Sequence, residues 1–204
     1  MIDYGKIDEL CTRLPGWCTP EKGRRLAELV AGSGAKQVVE LGVFGGRSLC
    51  ALALGCKARG NGVVHGYDPY SAPASLEGTN DRANDEWWSK VDYEDILRAA
   101  RDGIAQGGLE SHAQIIRNHS LAEDVLVAYP AGSVDVLHQD SNHSEEISTA
   151  EVRVWSPRVR LGGYWAIDDI NWATTAAAQK LLQSMGFRLL EDHGTWAIYQ
   201  KVAA

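Results

Sequence analysis

The run VDVLHQDSNHSEE, residues 134–146, passes from small and branched apolar residues straight into His138, Asp140, Asn142 and His143. A buried strand has no need of that ending, so the polar residues are read as delivered to a site. A second run, YWAIDDI, ends in the same manner at Asp168 and Asp169. Adjacent strands of a sheet lie roughly 5 Å apart, which lets Asp140, Asp168 and Asp169 converge. Converging carboxylates repel unless a cation joins them, and oxygen-only ligation selects Mg²⁺, Mn²⁺ or Ca²⁺. The plainer alternative is one solvated acid plus a helix cap at Asp169, since paired acids mark sites only probabilistically.

A further set lies upstream. VVELGVFGGRS places Glu40 at a strand end and Gly42, Gly45 and Gly46 in the turn that follows. Glycines there allow unusual dihedrals and close approach of backbone to a ligand. A dinucleotide fingerprint would read GxGxxG, whereas this turn reads GxxGG after an acid, which disfavours NAD. Asp68 follows one strand later, about where an acid binds ribose hydroxyls in folds of this kind.

These residues need elements to hold them. CTPEKGRRLAELV reads as a helix capped by Thr19 with Pro20 in its first turn, and residues 1–35 form an N-terminal helical cap. AKQVVELGVFGGRSLCALALGC reads as strand, glycine turn and helix, and GNGVVHGYDPY as a second strand. Residues 71–92 are polar and turn-rich and form a substrate-side excursion, with Trp87 and Trp88 on its rim. Those rings either stack on a substrate or anchor the loop; Trp17 and Trp172 are weaker candidates for the same rim.

YEDILRAARDGIAQGGL is a helix closed by Gly107-Gly108, followed by the strand AQIIRNHS. The run at 134 is the fourth strand. A helix then leads to a turn at Gly162-Gly163, and YWAIDDI is the fifth strand. After one more helix, FRLLEDHGTWAIYQKV forms a hairpin around His193-Gly194. The alternation predicts a mostly parallel sheet with helices on both faces, whose ligands sit at the carboxyl ends of the strands.

An acid-ended first strand, a glycine turn, a ribose acid after the second strand and a closing antiparallel hairpin resemble a class I S-adenosylmethionine-dependent methyltransferase. The resemblance implies a Rossmann-like seven-stranded sheet over nearly the whole chain. The residues it assigns to S-adenosylmethionine are Glu40, Gly42, Gly45, Ser48, Asp68, Asn118, Ser120 and Asp140. HxDxNHS followed by GGxxxxDD is similar to the metal-dependent sugar and small-molecule O-methyltransferases called methyltransferase family 24. In catechol-type relatives a lysine acts as base three residues after the strand-four aspartate. His143 stands there instead, as in macrolide-sugar methyltransferases, which moves the expected acceptor away from catechols.

The implied chemistry is metal-assisted ionisation of a small-molecule hydroxyl, proton removal by His143, and attack on the sulfonium methyl group. Asp140, Asp168 and Asp169 are the implied metal ligands; His138 lines the substrate site or supports a ligand from behind. Rival readings are a protein like the cephalosporin-modifying members of the family, a catalytically silent cofactor-binding partner, and, more distantly, an NAD-binding oxidoreductase.

Composition agrees with a single domain over residues 1–204. At net charge −7 and without a Lys/Arg stripe, nucleic acid is not the expected partner. No signal-like or membrane-length apolar run occurs, so a soluble cytoplasmic protein is expected. A homodimer through N-terminal helices is left open. Cys11, Cys18, Cys50 and Cys56 form no CxxC pair and read as small buried hydrophobes.

Overall fold

Strands and helices alternate as the sequence predicts in the computed structural model, which describes residues 1–203. Helices α1 (Tyr4–Arg13) and α2 (Pro20–Ser33) precede strand β1 (Gln37–Leu41), helix α3 (Arg47–Arg59) and strand β2 (Val63–Tyr67). Two short helices, α4 (Ala72–Ser75) and α5 (Arg82–Trp88), interrupt the excursion, and α6 (Tyr93–Gly107) leads to β3 (Ala113–Ile116). Then come α7 (Glu123–Val127), β4 (Val134–Gln139), α8 (Glu145–Trp155), β5 (Val159–Asp168), α9 (Ala176–Ser184), β6 (Phe187–Asp192) and β7 (Trp196–Lys201). The seven-stranded sheet has the order β3-β2-β1-β4-β5-β7-β6, with β7 antiparallel to β5 and to β6. This is the expected Rossmann-like arrangement with its closing hairpin.

Contacts divide the chain into two compact units, one of residues 1–70 and 92–117, the other of residues 71–91 and those from 118 onward. In the first, β1 pairs in parallel with β2, and β2 with β3. Thr19 Oγ1 accepts from the Lys22 amide at 3.2 Å, and Pro20 lies in the first turn of α2, as the capping residues predict. Every residue of α3 from Ser48 to Cys56 is buried, which is why its pattern lacks a polar face. All four cysteines are buried and none is in a disulfide, and burial pushes the Cys50 and Cys56 thiols up to about 12.

In the second unit β4 and β5 are parallel. Gly162-Gly163 is not a turn before the fifth strand, as the sequence suggested, but lies inside it. Val134 faces Val159 and Val136 faces Tyr164, so two steps along β4 oppose five along β5. Gly162, at φ 76°, makes that irregularity possible, since a side chain would strain there. Beyond the bulge the register pairs His138 with Ala166 and Gln139 with Ile167. Residues 138, 140 and 168 therefore share one side of the two strands.

Candidate active site

In the first unit the glycine turn is organised by a carboxylate. Asp68 Oδ2 accepts from the amides of Val43 (3.0 Å) and Phe44 (2.9 Å), and Oδ1 from that of Tyr70 (2.7 Å). Burial pushes its pKa up, while these amides and Arg117 oppose the rise. A carboxylate has about four acceptor positions, so three amides leave roughly one for a ligand hydroxyl.

Phe44 and Tyr70 both adopt φ 47°, and the Tyr70 hydroxyl donates to the Phe44 carbonyl at 2.8 Å. Non-glycine residues in this region are strained and gather where function over-determines the backbone. Glu40 is fully buried at the end of β1, and Ser48 is buried in the first turn of α3. Gly42 has φ 84° and suits the turn. Gly45 also meets a packing need of the chain: a Cβ there would lie 2.2 Å from the Pro15 carbonyl oxygen. Its smallness makes room for the chain itself. Trp17 stacks on Phe44 at 5.2 Å.

The second unit holds the acids and imidazoles. Two groups offer ligand atoms within 4.8 Å of one another, His138 with Asp140 and Asp168, and Asp140 with His143 and Asp169. Asp140 belongs to both. The three acids expected together do not form one such group among the described residues, because Asp168 and Asp169 divide between the two. Asp169 adopts φ 50° immediately after β5, and Thr175 Oγ1 donates to its carbonyl at 2.7 Å. Two carboxylates and an imidazole in one group suit a divalent cation by donor chemistry. A small cavity here is lined by Asp140, Asn142, His143, Asp168 and Thr175, among others.

His143 Nε2 lies 2.8 Å from Asp169 Oδ2 and 3.8 Å from Asp140 Oδ1, and its ring tilts against Trp172 with centroids 4.9 Å apart. Burial disfavours the charged imidazole, but hydrogen bonding and attraction from Asp140 and Asp169 outweigh it and raise the pKa to about 10. The ordinary value expected from the sequence is thus displaced upward. In cation-free protein, NMR should show His143 protonated throughout the neutral range. The pairing's stabilisation should be complete below the unfolded imidazole's value of about 6.5 and be lost as pH rises through about 10. A His143 titration midpoint below pH 7 would contradict this pairing.

Other expected residues are engaged locally. Asn118 Nδ2 donates to Asp124 Oδ2 at 3.0 Å, and its Oδ1 accepts from the His119 amide. The buried Ser120 hydroxyl donates to Glu151 Oε1 at 2.5 Å. Trp87 and Trp88 meet edge to face at 4.8 Å, and Trp87 remains 46% exposed.

The sequence placed Asn142 in the polar run without a role of its own, and Glu151 was missed. Asn142 Nδ2 donates to the carbonyls of Ala74, Ser75 and Glu77, fastening the excursion beside His143. Glu151 is a fully buried carboxylate whose pKa is raised by burial against hydrogen bonds from Ser120, Ser141 and Gln139. Its signal was present: the buried stripe of α8 runs Ser148, Glu151, Val152, Trp155, with an acid in an apolar helical face.

The family model described as a methyltransferase domain, methyltransferase family 24, matches residues 39–170. The chain belongs to this family. The methyltransferase match takes in Glu40, the glycine turn, Asp68, Asp140, His143, Asp168 and Asp169. No curated protein matches significantly.

Among solved structures, this methyltransferase is similar to the cofactor-bound Rv0187 protein from MTB, with 19% identity and a TM-score of 0.66 over 98% of this chain and 88% of that one. It is also similar to an O-methyltransferase from Bacillus cereus in complex with SAH, at 18% identity and TM-score 0.62, over 98% and 91%. A third similar structure is TomG from Streptomyces achromogenes, an O-methyltransferase involved in tomaymycin synthesis and in complex with SAM. Its identity is 13% and its TM-score 0.61, over 98% and 89%. At these identities the likeness establishes the fold.

Proposed function

We propose that this methyltransferase moves a methyl group from S-adenosylmethionine to a hydroxyl of a small molecule, a sugar-bearing or similar natural product, with the help of a divalent cation. The observation that carries this reading is His143 set 2.8 Å from Asp169 in a group shared with Asp140. An imidazole and several acids at two strand ends serve no packing purpose, yet they suit removal of a hydroxyl proton. That the B. cereus and TomG structures hold SAH and SAM supports the choice of cofactor.

In this reading the turn after β1 and Asp68 hold the cofactor, with one acceptor position of Asp68 left for a ribose hydroxyl. Asp140 and Asp168, with His138, would hold the cation, which when bound would lower the pKa of a hydroxyl on it. A divalent cation beside His143 would oppose the pull of Asp140 and Asp169 that raises its pKa, and the neutral Nε2 would then take the hydroxyl proton. The acceptor oxygen forms its bond to the methyl carbon as the carbon–sulfur bond breaks, leaving S-adenosylhomocysteine. Positioning contributes much of the acceleration. No helix among the described residues is long and apolar enough to cross a membrane.

Calorimetry provides the test. S-adenosylmethionine and S-adenosylhomocysteine should bind and NAD should not, and Mg²⁺ or Mn²⁺ should bind in a chelator-sensitive manner. Methyl transfer to a panel of glycosylated acceptors should stop when the cation is removed. Tight NAD binding with no response to S-adenosylhomocysteine would overturn the cofactor assignment. Cofactor binding without transfer to any hydroxyl acceptor would favour the silent-partner reading.

A further inference from the structure

The strongest feature outside the residues that meet cofactor, cation or substrate is the carboxylate of Glu151, which is completely buried. Burying a charge is costly unless its hydrogen-bonding capacity is filled, so the position needs a reason. Here three donors converge: Ser120 Oγ on Oε1 at 2.5 Å, and Gln139 Nε2 at 2.9 Å and Ser141 Oγ at 2.6 Å on Oε2.

Gln139 and Ser141 flank Asp140. One carboxylate oxygen therefore grips the residue before and the residue after the side chain common to both cation-competent groups. Gln139 is fixed from its other end as well, since its Oε1 accepts from Trp165 Nε1 at 3.1 Å. The chain on both sides of Asp140 is thus tied to α8 through the side chains of its two neighbours. The third bond ties in the segment after β3, and one turn further along α8 Trp155 Nε1 donates to the Ser120 carbonyl at 3.0 Å.

We propose that Glu151 is a positioning residue: it bridges Gln139 and Ser141 so that the Asp140 carboxylate is held ready for a divalent cation. The inference rests on the cation-dependent reading above. A hydrophobic residue would fill the same space in α8, but it would leave the backbone on either side of Asp140 unclamped. Partners that orient a metal ligand from behind it govern affinity because the ligand then loses little freedom on binding.

Mn²⁺ binding, followed by loss of the free-ion electron paramagnetic resonance signal, tests this without any turnover. Glu151→Gln and Ser141→Ala should each raise the Mn²⁺ dissociation constant roughly 10–100-fold. Trp155→Phe, which loosens the same helix without touching the bracket around Asp140, should lower the melting temperature and leave the dissociation constant within about twofold. Should Glu151→Gln fail to fold, Ser141→Ala carries the test. Wild-type affinity in a folded Glu151→Gln or Ser141→Ala protein would overturn the positioning role alone. A wild-type protein that takes up no Mn²⁺ would overturn the cation reading and this role with it.

Discussion

Replacing His143 with alanine is expected to lower turnover roughly 10²–10⁴-fold, the usual contribution of a positioned general acid or base. Cofactor and cation binding should survive, because in the proposed arrangement the imidazole ligates neither. The residual rate should climb with pH as hydroxide or water takes over proton removal. Asp140→Asn should fail differently, losing cation affinity and recovering part of its activity in excess Mg²⁺. The contrast is informative because the two side chains leave the same strand end, with His143 Nε2 3.8 Å from Asp140 Oδ1. Normal turnover of His143→Ala at pH 7 would make that histidine a bystander, and the base would lie elsewhere.

The second large effect is expected at Asp68. Asp68→Ala removes the acceptor of three backbone amides in one change. Hydrogen bonds to charged groups contribute roughly 1.5–3 kcal/mol each, although water will replace part of that. The melting temperature should fall in the absence of any ligand, since the turn holding Phe44 and Tyr70 in strained conformations loses its anchor. S-adenosylhomocysteine should then bind at least roughly tenfold more weakly, equivalent to one lost hydrogen bond of about 1.4 kcal/mol. Unchanged affinity measured by calorimetry would remove Asp68 from the cofactor site.

The alternation of strands and helices, the cap at Thr19 and the closing hairpin were legible because each rests on local periodicity or turn chemistry. The position of Gly162-Gly163 was not. A glycine pair signals a turn from sequence alone, whereas here it relieves a bulge whose existence depends on pairing with Val134 and Val136. Asp68 and the acids after β4 and β5 could be read as a site from their places at strand ends. How they partner could not, because the left-handed backbone at Asp169 redirects its side chain to His143. Ser120 and Asn118 were expected to face a ligand, yet their side chains bond to Glu151 and Asp124, contacts that span more than a turn of chain.

Asn142 bears on how such an enzyme could be re-engineered. Its amide nitrogen meets three carbonyls between residues 74 and 77, its oxygen accepts from the Ser144 amide, and Glu146 Oε1 accepts from the Thr79 hydroxyl at 3.0 Å. If residues 71–91 govern acceptor choice, that segment is not a free cassette. A transplanted loop that fails to present carbonyls at those places would strand the amide one residue from His143 and disturb the base. Diversification libraries should therefore hold residues 74–79 constant and vary the stretch from Asn80 onward, where Trp87 presents its exposed ring.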